Sequence, residues 1–271
     1  MPSNPLNPIK KPKGGTLFLL FTAMGLVLVL FISITLFDMF YRQIGDLPAL
    51  FSAARDPVVL TAIGVSIAAT TCSTLIAFTF GVPLAYLLAR RNFPGKSLVE
   101  GIIDIPMMIP HVVAGIALYG VLMRSGVIGA PFDMLGVTLV DAFSGIVLAM
   151  LFMSLPYLVD TAREGFRSVD ERLENVSRSL GASPWQTFRR VSFPLAFSSI
   201  YNGCILAWAR GISEFSAVLI VAYFPRSAPI LIYERFTSYG LSSSRPIAIL
   251  FVVICLVLFT LLRLPEWRKR R

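Results

Sequence analysis

Six stretches of nearly unbroken hydrophobic residues organise the chain, at about 16–38, 58–89, 101–123, 140–160, 196–224 and 246–264. Each reaches the ~20 residues that a helix needs to cross a hydrocarbon core of roughly 30 Å. The runs lack the polar alternation of a barrel strand facing a lumen, so helices are expected. The second and fifth are long enough to tilt or protrude. The first, Leu17 to Phe37, is too long for a signal-peptide core and lacks a small-residue cleavage site, so it should remain as an anchor. The expectation is an all-α integral membrane protein, with six transmembrane helices over 16–264, a short tail over 1–15 and a basic tail over 265–271.

Lysine and arginine between the runs set the orientation. One side carries Lys10, Lys11 and Lys13, then Arg90, Arg91 and Lys96, then Arg163, Arg167, Arg172, Arg178, Arg189 and Arg190, and finally Arg263, Arg268, Lys269, Arg270 and Arg271. The other carries Arg42, Arg55, Arg124, Arg226, Arg235 and Arg245. Seventeen against six places both termini and the segment 161–195 in the cytoplasm of a multi-pass protein of the cell membrane.

Composition agrees with this reading. Charged residues make up 14% of the chain and hydrophobic ones 56%, with a mean hydropathy of +0.76, so no polar coat exists to face water on every side. The net charge of +9 is dispersed between apolar runs rather than gathered on one face, which points to the lipid bilayer and away from nucleic acid. Cys72, Cys204 and Cys255 each sit inside an apolar run without metal or redox spacing, and read as packing residues. Gly95-Lys96-Ser97 has the ending of a phosphate-binding loop, but Arg90 occupies the position of the motif's first glycine. ATP is therefore not expected to bind this chain.

Between the fourth and fifth runs lies RSLGASPWQTFRRVSFP, residues 178–194. Upstream of it, Val169, Leu173, Val176 and Leu180 recur at helical spacing and predict one amphipathic helix. Gly181 is suited to the left-handed conformation that ends a helix. Ser183-Pro184 reads as an N-cap followed by proline at the first helical position. A second short helix would carry Trp185, Phe188 and Val191, and Pro194 is expected to end it before the fifth span. The product is a helix–Gly–helix knob over 168–194, either a simple linker or a docking surface.

Ionisable residues at membrane depth are costly and default to functional candidates. Arg210 and Glu214, four apart, should share one helix face. Either they neutralise each other within the bundle, or Arg210 contacts an anion under the control of Glu214. A pair that satisfies itself has less charge to offer a substrate, which favours the first. His111 is the only histidine and has no companion ligand at metal spacing, so a buried, hydrogen-bonded or path-lining role is expected. Pro106 and Pro110 should kink or unwind the start of the third span, near Asp104 at its cytoplasmic end.

The 168–194 segment resembles the cytoplasmic signature of ABC-importer permeases, Glu-Ala-Ala, three residues, Gly, nine residues, then Ile-x-Leu-Pro. Gly181 is followed, after nine residues, by Val191-Ser192-Phe193-Pro194, while Asn175-Val176-Ser177 replaces the opening triplet and Glu174 stands one place early. VAGIA of the third span, WARGISEFSA of the fifth and APILIYERF beyond it are similar to permeases for tetrahedral oxyanions, the molybdate/tungstate group first and sulfate/thiosulfate next. The resemblance implies a non-enzymatic transport subunit. It would act as a homodimer with two ATP-binding cassette subunits, which hold ATP and Mg, and with an external substrate-binding protein. Glu174, Asn175, Val176, Ser177, Arg178, Leu180, Gly181, Ala182 and Ser183 would then couple to the ATPase. His111, Arg210 and Glu214 would line or gate the path, and Arg226, Arg235 and Arg245 would face the binding protein. An ion-driven secondary carrier is the alternative class. Such a carrier would show paired broken spans or isolated acids at midplane, where only Glu214 fits and Arg210 compensates it.

Overall fold

The computed structural model describes the backbone of residues 15–269 and the side chains of residues 17–264. The N-terminal tail with Lys10, Lys11 and Lys13, and the side chains of the tail 265–271, lie outside these bounds. Every regular element among the described residues is helical.

Two units are distinguished, divided after Pro48. The first is dominated by α1 (Gly15–Ile44), whose large apolar side chains from Leu17 to Phe37 are exposed along its length, as suits a helix solvated by lipid. The second unit contains the remaining spans. After α2 (Leu47–Arg55), α3 (Pro57–Arg90) starts where Asp56 accepts the Val58 amide at 2.8 Å and Pro57 occupies the first turn. The long helices α3, α7 (Phe143–Arg167) and α10 (Phe193–Ile212) form its centre, and α13 (Leu241–Lys269) packs against α10.

The buried face of α3 consists largely of small residues, Ala62, Ser66, Ala69, Ser73, Ala77 and Ala85. Lipid tails are as apolar as the helices, so association relies on close van der Waals contact, which small residues permit. The larger side chains come from α7, where Met150, Met153, Leu158 and Phe166 are fully enclosed.

Two spans are broken, the third where its prolines were expected to kink it and the fifth where a continuous helix was expected. The stretch 101–123 is a pair, α4 (Lys96–Met108) and α5 (His111–Leu122), bent by 116°. Among the described residues there are therefore five helices long and apolar enough to cross a membrane, or six if this pair counts as one span. Pro106 is accommodated inside α4, whereas Pro110 breaks the chain because Ile109 before it is driven to an extended conformation, ψ 147°. The stretch 196–224 also breaks. Helix α10 stops at Ile212, residues 213–215 are irregular, and α11 (Ser216–Val221) follows. Beyond it, α12 (Ala228–Tyr239) occupies much of the stretch between the fifth and sixth apolar runs, while α6 (Gly129–Met134) lies between α5 and α7.

Pro194 does not end the preceding helix. The chain runs from α9 (Pro184–Thr187) through one π-turn (Phe188–Ser192) directly into α10. The wider turn, in which the Phe193 amide reaches back to the Phe188 carbonyl, makes room for the proline ring that an α-turn would drive into a carbonyl.

Candidate functional site

Among the described residues, two of the polar clusters gather several of the residues singled out in the sequence. The first lies where the two broken spans meet. Pro110 aims α5 so that His111 begins it, and the close approach of α5 to α11 requires Gly115, where a Cβ would stand 3.0 Å from the Ala217 Cα. Arg210, on the last turn of α10, donates from Nη2 to Glu214 Oε2 at 2.7 Å and to His111 Nε2 at 2.9 Å. Glu214 is fully buried; its Oε1 accepts the Ala217 amide at 3.0 Å and its Oε2 lies 3.6 Å from His111 Nδ1. The expected Arg210–Glu214 pair is present, but not as neighbours on a continuous helix. Glu214 sits in the break and caps α11, so its carboxylate ties α10, α11 and α5 together.

Chemically, this is a compensated centre. Arg210 retains 15% exposure and His111 48%, so one edge of the cluster is open, yet the carboxylate already neutralises the guanidinium. A dianion arriving here would have to compete with Glu214.

The second centre is the knob between α7 and α10. Helix α8 (Glu171–Ser179) is capped by Asp170, whose carboxylate accepts the Arg172 amide at 2.9 Å. Gly181 takes φ +87°; its amide reaches the Arg178 carbonyl at 3.0 Å and that of Ala182 reaches Ser177 at 3.2 Å, a Schellman ending. Ser183 then caps α9 in a reciprocal box with Gln186, at 3.2 and 2.8 Å. Nothing lies within 4 Å of the Cβ that a side chain would add at Gly181, so a substitution there meets backbone strain alone. Gly181→Val should accordingly cost about 2 kcal/mol locally, Gly181→Asn clearly less. Tryptic cleavage within 172–190, measured on the intact chain, should accelerate at least tenfold in the valine variant and less in the asparagine one.

The predicted apolar stripe is oriented outward. Val169 enters the core, but Leu173 and Val176 are exposed, Leu180 is 83% exposed and Trp185 67%. Trp185 stacks on Phe188 with ring centroids 5.6 Å apart. Asn175, Arg178 and Ser183 are exposed, and Ala182 is half-buried. Asn175 accepts from Arg178 at 2.6 Å. Ser177 is half-buried, with its hydroxyl 3.1 Å from that of Thr187. Glu174 faces the opposite way and is 3% exposed, bound to Arg90 at 2.8 Å.

Arg226, Arg235 and Arg245 are not brought together. Arg226 pairs with Glu234 at 2.8 Å and lies over the Phe224 ring, while Arg235 approaches Asp56 at 3.9 Å. Arg245, at the start of α13, is half-buried and forms no ion pair among the described residues. Sequence reasoning missed Arg90, Tyr86 and Ser192, all partners of Glu174. The available signal was weak: an acid off the apolar stripe of a short helix, with an arginine ending a distant span.

Residues 81–271 match the family described as the binding-protein-dependent transport system inner membrane component. A permease of Thermococcus kodakarensis named for molybdate/tungstate transport is 45% identical over 250 residues, covering 92% of this chain and 96% of that protein. A Pyrococcus furiosus protein of the same name is 47% identical over 92% of this chain and 95% of its own length. A probable sulfate permease of Chlorokybus atmophyticus is 35% identical over 83% and 84%. Among solved structures, a bacterial ABC transporter that imports alginate superposes with a TM-score of 0.74 at 17% identity, over 93% of this chain and 96% of that one. Paired broken spans alone would have favoured an ion-driven carrier, but sequence similarity along nine-tenths of the chain settles the class: this membrane-spanning chain belongs to the inner membrane components of binding-protein-dependent transport systems.

Proposed function

We propose that the chain is the permease subunit of an ATP-driven importer of molybdate or tungstate. The observation carrying this reading is the 45–47% identity to permeases of that name, over almost the full chain, against 35% for a sulfate permease. Both termini and the knob face the cytoplasm, following the arginine and lysine asymmetry. Two copies of the chain form the pathway and bind two ATP-binding cassette subunits, which hold ATP and Mg and hydrolyse the nucleotide. An external protein captures the anion and delivers it to the face bearing Arg226, Arg235 and Arg245.

The outward apolar stripe supports docking at the knob. Leu173, Val176, Leu180 and Trp185 have little reason to meet water, and a hydrophobic patch flanked by Arg178, Arg189 and Arg190 suits an apolar cleft with acidic edges. Closure of the ATP-binding pair would reorient the two permease chains about their interface, giving alternating access. The His111–Arg210–Glu214 cluster serves as a brace at the pathway, holding two broken spans in register.

Uptake into vesicles containing the chain, its ATP-binding partner and its binding protein tests the proposal. ATP-dependent molybdate uptake should be blocked by tungstate and not by sulfate. Equal competition by sulfate would move the substrate to the sulfate class, and no ATP-dependent oxyanion uptake would overturn the reading.

A further inference from the structure

Glu174 belongs to the segment expected to meet the ATPase, yet its side chain cannot do so. Its carboxylate is enclosed and fully engaged: Oε1 accepts from Arg90 Nε and from Ser192 Oγ, each at 2.8 Å, and Oε2 accepts from Tyr86 at 3.3 Å. Arg90 is only 8% exposed and divides its guanidinium, Nε on Glu174 and Nη2 on the Val169 carbonyl at 2.9 Å. One carboxylate thus joins three segments, the end of α3, the start of the knob and the last residue of the π-turn. The rings of Tyr86, Phe166 and Phe188 pack at 4.9–6.0 Å around this node. Sheltered ionic hydrogen bonds of this kind are stiff, because the surroundings offer no competing water.

We infer that Glu174 is a positioning residue that locks the knob to α3 and α10, so that a push on the knob reaches both spanning helices as one rigid displacement. The geometry has two parts. The apolar contact face, Leu173, Val176 and Leu180, and the lock lie on different faces of the same short helix, leaving almost no flexible chain between load and anchor. The π-turn spaces its hydrogen bonding more widely than an α-turn, the Phe193 amide reaching back to Phe188, and the Ser192 hydroxyl fixes it to Glu174. A second cross-link, Ser177 to buried Thr187, ties the two short helices to each other.

The transmission role rests on the docking reading above; the lock does not, and two measurements separate them. In the full chain, with Cys72, Cys204 and Cys255 replaced, nitroxide labels at N175C and R91C report the knob-to-α3 distance in lipid nanodiscs. A single narrow distribution is expected, broadened at least twofold by Glu174→Gln and to a lesser degree by Ser192→Ala. In the assembled transporter, the ratio of ATP hydrolysed to anion imported should rise tenfold or more for Glu174→Gln and about threefold for Ser192→Ala. A purely structural role would lower assembly and leave that ratio unchanged. Unbroadened distances in both variants overturn the lock, and an unchanged ratio in either assembled variant overturns transmission. If Glu174→Gln fails to assemble, Ser192→Ala decides. A wild-type chain that retains no ATP-binding subunit overturns docking and transmission together, while the label distances still decide the lock.

Discussion

Glu214→Ala is expected to reduce the heat stability of the assembled protein more than any other single truncation in the membrane-spanning region. The substitution removes the acceptor for Arg210 and the cap on the Ala217 amide in one step. Breaking a buried pair from one side costs ~3–5 kcal/mol, because the remaining charge is stranded. Arg210 keeps some exposure, so the low end applies, about 3 kcal/mol, or on the order of a hundredfold in the folded-to-unfolded ratio. The midpoint of thermal loss of the complex should fall by roughly 5–10 °C. Glu214→Gln preserves an acceptor for the amide and should fall by less. A shape-conserving apolar pair, Arg210→Met with Glu214→Leu, should recover most of the loss, since desolvation is then no longer incurred. Uptake by Glu214→Gln should decline in proportion to the assembled fraction. A fully assembled variant without uptake would reassign the cluster from brace to direct handling of the anion.

Trp185→Ala and Leu180→Asp should have the second largest effect, on association rather than on the chain itself. Both side chains stand out from the knob, so neither change creates a cavity or breaks a buried bond. A central aromatic or aliphatic anchor in an interface is worth ~2–4 kcal/mol, about 30- to 700-fold in affinity. Retention of the ATP-binding subunit by the tagged chain, titrated with that subunit, should weaken at least thirtyfold for each variant. The thermal midpoint of the isolated chain should remain within about 2 °C of wild type, in keeping with the small effects of surface substitutions. Undiminished retention would show that the exposed stripe meets lipid rather than protein.

The apolar runs identified the spanning segments because a bilayer imposes a length and composition that no local interaction can replace. Caps were readable for the same local reason: Ser183-Pro184 and Gly181 act within four residues of themselves. Proline was read less well. Pro110 broke its span and Pro106 did not, and Pro194 was absorbed by a π-turn, outcomes that depend on neighbouring helices rather than on the ring alone. The break after Ile212 has no proline at all; there Glu214 exchanges helical continuity for three contacts, one each from α10, α11 and α5.

By itself, the sequence determined a helical membrane protein, its interruptions by charge and a helix–Gly–helix knob, since hydrophobic length, charge placement and capping are properties of short segments. Tertiary structure alone decided which way the knob's residues point. The stripe Leu173, Val176 and Leu180 had the spacing of a core face, but a core needs an apolar partner across from it. Among the described residues that side of α8 is left exposed, while Arg90, Tyr86 and Ser192 converge on Glu174 from the other. Those residues are separated from Glu174 by 18 to 88 positions, and no periodicity in a single helix encodes which distant cation will arrive to neutralise an acid.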